Sequence, residues 1–299
     1  MTGNRNMQAY GFLIITTFCF GMNANFGKLA VGEISPMVRV LLRWVGTVLL
    51  MTVFFRKRLL REWPVLRRHW PYLAAMGVLG LTAFNALFYV AAHTTSALNM
   101  GILQGAIPMF VLLGAFVFFK APMHPLQILG VVVTVVGVIV ATVSGDLERL
   151  AALAFQPGDV LMIIACVLYA SYSLLLRRCP AVDPLALFSV FAIGALVAAL
   201  PLPIAEAAMG HLQWPTTKGW ILVVLVVLFP SFLAQVFFIK GVSLIGPERA
   251  GVFFNLIPIF AAMVAVAFLG ERFYAYHALA LGLVLGGIGL SEWSKRREH

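Results

Sequence analysis

The stretch Ile107-Pro108-Met109-Phe110 returns 150 residues later as Ile257-Pro258-Ile259-Phe260. At that same offset, without a gap, Trp70 meets Trp220, Phe88 meets Phe238, Gly101 meets Gly251 and Gly137 meets Gly287. Polar Asn85 meets polar Gln235. A chain of 299 residues therefore reads as two copies of one half, 1–150 and 151–299. Whatever one half folds into, the other must fold into as well.

Composition says what solvent each half needs. Hydrophobic residues make up 62% of the chain and charged residues 11%, where soluble domains carry about 45–50% and about 25%. No soluble fold of this length hides so much apolar side chain, but the hydrocarbon of a bilayer accommodates it. The 15 prolines and 26 glycines are tolerated in membrane helices. Apolar runs predict an all-α integral membrane protein with ten transmembrane helices at about 8–30, 36–56, 71–92, 96–119, 125–144, 158–177, 184–205, 218–240, 247–268 and 273–294. Ser35-Pro36, Pro71, Pro122 and Pro125, Pro157-Gly158, Asp183-Pro184 and Gly246-Pro247 fall near the expected helix starts, where a missing N–H does no harm. The run from Ala9 to Ala30 has the length of a span and is read as a retained first helix, not a signal peptide.

The net charge of +10 does not point to nucleic acid, because the basic residues sit in short segments between apolar runs and act there as topology signals. With the N-terminus in the cytoplasm, the inside segments hold fifteen of them, most densely from Arg56 to Arg68, and the outside segments hold Lys28, Arg149, Lys218 and Arg272. That imbalance puts both termini inside. Five helices per half is an odd number, so the second half enters the membrane upside down. The expected fold is two inverted five-helix repeats, with a site between them near the midplane.

The order of motifs in this frame resembles the drug/metabolite transporter superfamily, and within it the EamA-type ten-helix exporters, over nearly the whole chain. The resemblance is carried by the two halves with their fourth spans, Asn99 through Pro108 and Gly251 through Pro258, by Phe20-Gly21 with Asn23 and Asn25, and by Gly270-Glu271-Arg272. The first half departs from the last motif, reading Phe119-Lys120-Ala121-Pro122. The resemblance implies alternating-access export of small metabolites across the bacterial cytoplasmic (inner) membrane, and is nearest to the exporters of aromatic amino acids. A monomer in the lipid bilayer is expected.

Polar groups are costly in hydrocarbon, which makes those near mid-membrane the candidates for a site. They are Asn23 and Asn25 in the first span, Asn85 and Tyr89 one turn apart in the third, Gln104 in the fourth, Tyr169 and Tyr172 in the sixth, Gln235 in the eighth and Asn255 in the ninth. Amides donate and accept at once and suit a zwitterion. They also bond neighbouring helices to one another, which is the bland alternative. Arg39 and Arg43 lie one turn apart in the second span. Arg43 attracts a substrate carboxylate, or it snorkels or pairs with Glu33. Phe84 and Phe88, with Tyr89 and Tyr172, would offer stacking walls to a flat substrate. Trp44, well inside the second span, lines the pathway or simply packs, and packing is favoured. Pro108, Pro230 and Pro258 are hinge candidates in mid-helix, each removing a hydrogen bond, or else static bends.

Absences narrow the function. No Asp, Glu or His lies near the centre of an expected span, so proton coupling is not expected. Clustered carboxylates, a Gly-rich phosphate loop and a Ser-His-Asp set are missing, so an enzyme is not expected. The three cysteines have no metal or disulfide spacing; no metal or cofactor is expected. An organic-cation or multidrug exporter of the same superfamily is the alternative, supported by the aromatic supply and opposed by Arg43.

Overall fold

The computed structural model describes residues 2–144, 156–246, 250 and 252–295. Every regular element among them is helical, and none is a strand. In chain order they are α1 (Thr2–Leu29), α2 (Pro36–Leu66), α3 (Trp70–Ala91), α4 (Ala97–Phe119), α5 (Pro125–Thr142), α6 (Pro157–Arg178), α7 (Pro184–Ala208) and α8 (Thr217–Ile245). A 3-10 stretch, Val252–Leu256, then leads into the α-helix Ile257–Leu269, together α9. Last comes α10 (Ala275–Lys295). Seven helices, α2 to α8, are long and apolar enough to cross a membrane. The apolar parts of α9 and α10 are shorter. α1 is 28 residues long, and Asn23 and Asn25 dilute its apolar run. Arg149, Pro247, Glu248, Arg249, Gly251, Arg296 and Arg297 lie outside the described residues.

Helix starts follow from local chemistry. Pro36, Pro71, Pro125, Pro157 and Pro184 occupy first-turn positions. Ser96, Asp183 and Thr216 each accept a hydrogen bond from a first-turn N–H, satisfying groups that would otherwise be orphaned. At the other end Lys120 and Gly270 both close their helices in the left-handed conformation, with φ of 54° and 67°. They stand 150 positions apart, so this cap recurs with the sequence repeat. The largest departure from the expected boundaries is in α2. α2 does not stop near residue 56 but runs on through Pro64 to Leu66; this amphipathic extension carries Arg56, Lys57, Arg58 and Arg61, all exposed.

The irregularities recur too. α3 contains a π-helical turn at Val78–Ala83, and α8 contains one at Val227–Leu233. Pro230 lies in the second turn, whereas Gly80 occupies the first. A proline is thus not needed to make it; Thr82 Oγ1 donates to the Ala195 carbonyl at 2.7 Å, and Gly80 lies so close to Tyr172 that a Cβ there would stand 2.2 Å from its ring. α4 breaks at Gly105 and Ala106 and restarts at Ile107. The expectation of mid-helix prolines is therefore corrected: Pro108 and Pro258 each sit in the first turn of a new helical segment, where no hydrogen bond is forfeited.

The most extensive helix contacts come in sets that exchanging the halves leaves unchanged. α2 packs on α7, α4 on α9, and α5 on α10, the most extensive pair. α1 packs on α8 and α9, while α6 packs on α3 and α4. Small residues allow the close approaches: a Cβ on Gly130 would stand 2.4 Å from the Gly287 carbonyl.

Hydrogen bonds between helix ends sort into two faces. On one, Lys28 Nζ donates to the carbonyls of Ala92 (3.0 Å) and Thr95 (2.9 Å). Ser35 donates to Glu206 at 2.5 Å. Glu33 accepts from Thr216 and from Lys218, the latter at 3.1 Å. Thr95 donates to Asp159, and Glu271 accepts from the N–H groups of Ala97 and Leu98 at 2.9 Å. This face is sealed by ties among the α1–α2, α3–α4 and α7–α8 connections, the start of α6 and the α9–α10 connection. On the opposite face, which carries the start of α1, the ties are fewer: Arg58 to Asp183 at 3.0 Å and Tyr72 to the Leu175 carbonyl at 2.6 Å.

Candidate functional site

A cavity of about 1400 Å³ occupies the space between the two halves. Tyr10 at the start of α1, Ala121 and Pro122 after α4, Arg177 at the end of α6 and Ser291 near the end of α10 line it. All belong to the less tied face, so that is where the cavity opens. Its walls include Asn23, Arg43, Trp44, Phe84, Asn85, Gln104, Tyr169, Tyr172, Ser231, Gln235, Phe254 and Asn255.

Arg43 organises the polar end. Its Nη1 donates to Asn23 Oδ1 at 2.9 Å, to Asn85 Oδ1 at 2.8 Å and to the Tyr89 hydroxyl at 2.5 Å. Those acceptors come from α1 and α3, so one guanidinium ties three helices of the first half. Asn85 is held in turn by its Nδ2, which donates to the Leu81 carbonyl at 2.6 Å. Arg43 Nε and the neighbouring Trp44 Nε1 have no partner among the described residues. Gln104 Oε1 has none either. A buried N–H without an acceptor is unfavourable until a ligand supplies one.

Arg39 lies one turn toward the sealed face and is 1% exposed, against 6% for Arg43. Its Nη1 donates to the Gly27 carbonyl at 3.3 Å, and its guanidinium sits 4.1 Å from the centroid of Tyr89. No described ion pair includes either arginine. Two buried cations thus stand near each other with no carboxylate beside them.

Aromatic rings complete the walls. Tyr169 lies 5.2 Å from Phe84 and 5.5 Å from Tyr172, centroid to centroid. Across the cavity Phe254 lies 4.9 Å from Phe238 and 6.0 Å from Phe20. The open space between is bounded by flat apolar faces with amides at Gln104, Gln235 and Asn255.

Most residues singled out from the sequence meet here, but not all. Asn25 is on the other side of α1 and donates to the Ala261 carbonyl at 3.1 Å, which joins α1 to α9. Phe88 is fully buried and packs on Phe84 and Tyr89. Tyr89 is behind Arg43, not on the cavity wall. Pro258 also lies off the wall, whereas Pro108 and Pro230 are on it. The pairing of Arg43 with Glu33 does not occur, because Glu33 is held by Thr216 and Lys218. Trp44, read as either pathway wall or packing, is both buried and part of the wall. Ser231 was missed; its hydroxyl donates to the Val226 carbonyl at 2.7 Å, a carbonyl whose α-helical donor would be residue 230, where Pro230 has no N–H.

The EamA-like transporter family matches twice, over residues 7–143 and 156–292. The chain belongs to the EamA-like transporter family. Its two matches take in nearly the whole chain and fall one per half. The uncharacterized transporter YyaM of Bacillus subtilis (strain 168) is similar at 25% identity, over 95% of this chain and 92% of its own. YetK of the same organism, also named an uncharacterized transporter, is 24% identical over 98% and 89%. An uncharacterized transporter of Archaeoglobus fulgidus is 25% identical over 96% and 98%. A solved structure described as "Crystal structure of protein" shares the fold, with a TM-score of 0.65, 18% identity and 99% of each chain covered. This EamA-like protein is a multi-pass membrane transporter, and the cavity is its candidate substrate site.

Proposed function

We propose that this EamA-like transporter exports small carboxylate-bearing metabolites, amino acids including aromatic ones, from the bacterial cytoplasm by alternating access. The observation that carries this reading is the cavity itself: closed at one face, open at the other, with Arg43 at its polar end and stacked rings along its sides. In this reading ten helices cross the inner membrane as two inverted five-helix repeats, with both termini in the cytoplasm. The recurrence of π turns, left-handed caps and pairings at the same offset supports the repeat. The basic residues at the open face, Arg56 to Arg68 and Arg177 and Arg178, support its cytoplasmic orientation. The described conformation is then inward-open.

Asn23, Asn85, Gln104, Gln235 and Asn255 hydrogen-bond the substrate's polar end, and Phe84, Tyr169 and Tyr172 stack on its flat part. The break before Pro108, the π turn at Pro230 and the 3-10 stretch before Pro258 serve as hinges. The protein acts as a monomer. No carboxylate lines the cavity among the described residues, and the buried Asp159 and Glu206 are engaged in ties at the sealed face. The substrate therefore moves down its own gradient without a proton. The aromatic walls also fit an organic cation, against which Arg43 acts directly.

The test is uptake of a labelled amino-acid panel into vesicles containing wild type, Asn85→Ala or Gln235→Ala. The proposal expects phenylalanine or tryptophan flux in wild type and a loss of about tenfold in each variant at equal protein level, the effect of one hydrogen bond of about 1.4 kcal/mol. Unchanged flux in both variants removes the cavity reading. Dye transport without amino-acid flux favours the organic-cation exporter.

A further inference from the structure

Arg39 is left over by the site just described. It does not line the large cavity. It is almost fully buried, yet among the described residues its Nε and Nη2 have no partner, and the hydrogen bond it makes there is a long one to a carbonyl. The buried or tied carboxylates on its side of the protein are engaged elsewhere: Glu33 with Thr216 and Lys218, Glu206 with Ser35 and the Met37 N–H, Asp159 with Thr95 and Asn99. A cation removed from water without a counter-charge costs stability. Packing alone gives no reason to hold one there.

Its surroundings supply a reason. Arg39 borders a small hollow at the sealed face, shared with Gly27, Pro36, Tyr89 and His93. Tyr89 separates the two arginines: its hydroxyl accepts from Arg43, and its ring lies under Arg39. A carboxylate arriving at Arg43 competes with that hydroxyl for the same guanidinium. Once the hydroxyl is displaced, the ring is free to leave Arg39, whose unpartnered N–H groups face a new acceptor.

We infer that Arg39 is a second carboxylate-binding station, filled as the substrate leaves Arg43, with Tyr89 as the divider between them. This rests on the cavity reading above and adds a substrate rule to it. The carboxylate is the required handle, because both stations are cationic. An ammonium group is dispensable, because among the described residues no carboxylate lines the cavity to receive it.

The experiment uses the full chain in proteoliposomes with three labelled probes: phenylalanine, its deamino analogue phenylpropanoate and its decarboxylated analogue phenethylamine. Wild type is expected to move the first two and to move phenethylamine about tenfold more slowly or not at all. Arg39→Gln is expected to bind phenylpropanoate within about twofold of wild type in detergent while its flux drops about tenfold, since binding from the open side is at Arg43. Its melting temperature should not fall, because an uncompensated buried charge has been removed. Arg39→Lys should recover part of the flux. Unchanged flux in Arg39→Gln overturns the second station while leaving the cavity reading intact. So does a joint loss of binding and of melting temperature, which marks a structural residue. Phenethylamine moving as fast as phenylpropanoate overturns the substrate rule. A wild type that neither binds nor moves any of the three overturns the cavity reading and this inference together.

Discussion

Arg43 shows how far a single residue can be read from sequence. An arginine inside an apolar span has to be satisfied by something, and the sequence suggests a substrate carboxylate, a snorkelling stem or Glu33. Within the protein its acceptors are instead Asn23 of α1 and Asn85 of α3, a pairing that sequence distance does not reveal. What the sequence could not tell is which face each helix turns inward, because helices apolar all round leave no preferred direction. That is why Asn25, two residues from Asn23, proved to join α1 to α9, and why Trp44 proved to be wall as well as packing. The geometry predicts that Arg43→Lys, although it keeps the charge, lowers substrate affinity about tenfold, because an ammonium cannot span Asn23, Asn85 and a ligand carboxylate from one planar fork. Binding measured by isothermal titration checks this. Equal affinity in the variant would mean that Arg43 contributes only its charge.

Among the elements, helix positions were legible and their interruptions were not. Apolar runs bounded by Pro and Gly mark where helices lie but not where each ends: α1 begins at Thr2, α8 continues to Ile245 and α2 carries an amphipathic extension, all beyond the expected spans. The π turns in α3 and α8 and the break in α4 come from contacts between helices, such as Gly80 against Tyr172, and a one-dimensional pattern does not hold that information. The ties that seal one face were also invisible, since they join residues as distant in sequence as Glu33 and Lys218. One of them has a pH dependence with a definite sign. The hydrogen bond from Thr216 above all, and then Lys218, holds the Glu33 carboxyl below its ordinary value. A carboxyl lowered on folding stabilises the fold above its ordinary value and loses that contribution as the pH falls through the lowered one. Wild type should therefore melt slightly above Glu33→Gln at neutral pH, the gap being small because the pair is exposed. The two should converge once the pH has fallen below the ordinary glutamate range. A gap that widens in acid would contradict the assignment.

At the scale of the whole molecule, two halves that repeat in sequence also repeat in irregularities and in partners. A pair of halves facing each other leaves a space along their seam, and sealing one face turns that space into a blind cavity open to the other. In the proposed reading, the positive charge gathered at the open face marks that face as cytoplasmic. The most direct test is labelling of Gln104→Cys in a chain whose Cys19, Cys166 and Cys179 have been replaced, using a membrane-impermeant thiol reagent on oriented vesicles. The account predicts reaction from the cytoplasmic side, slowed by added phenylalanine. Reaction from the outer side alone, or labelling that substrate does not slow, would contradict it.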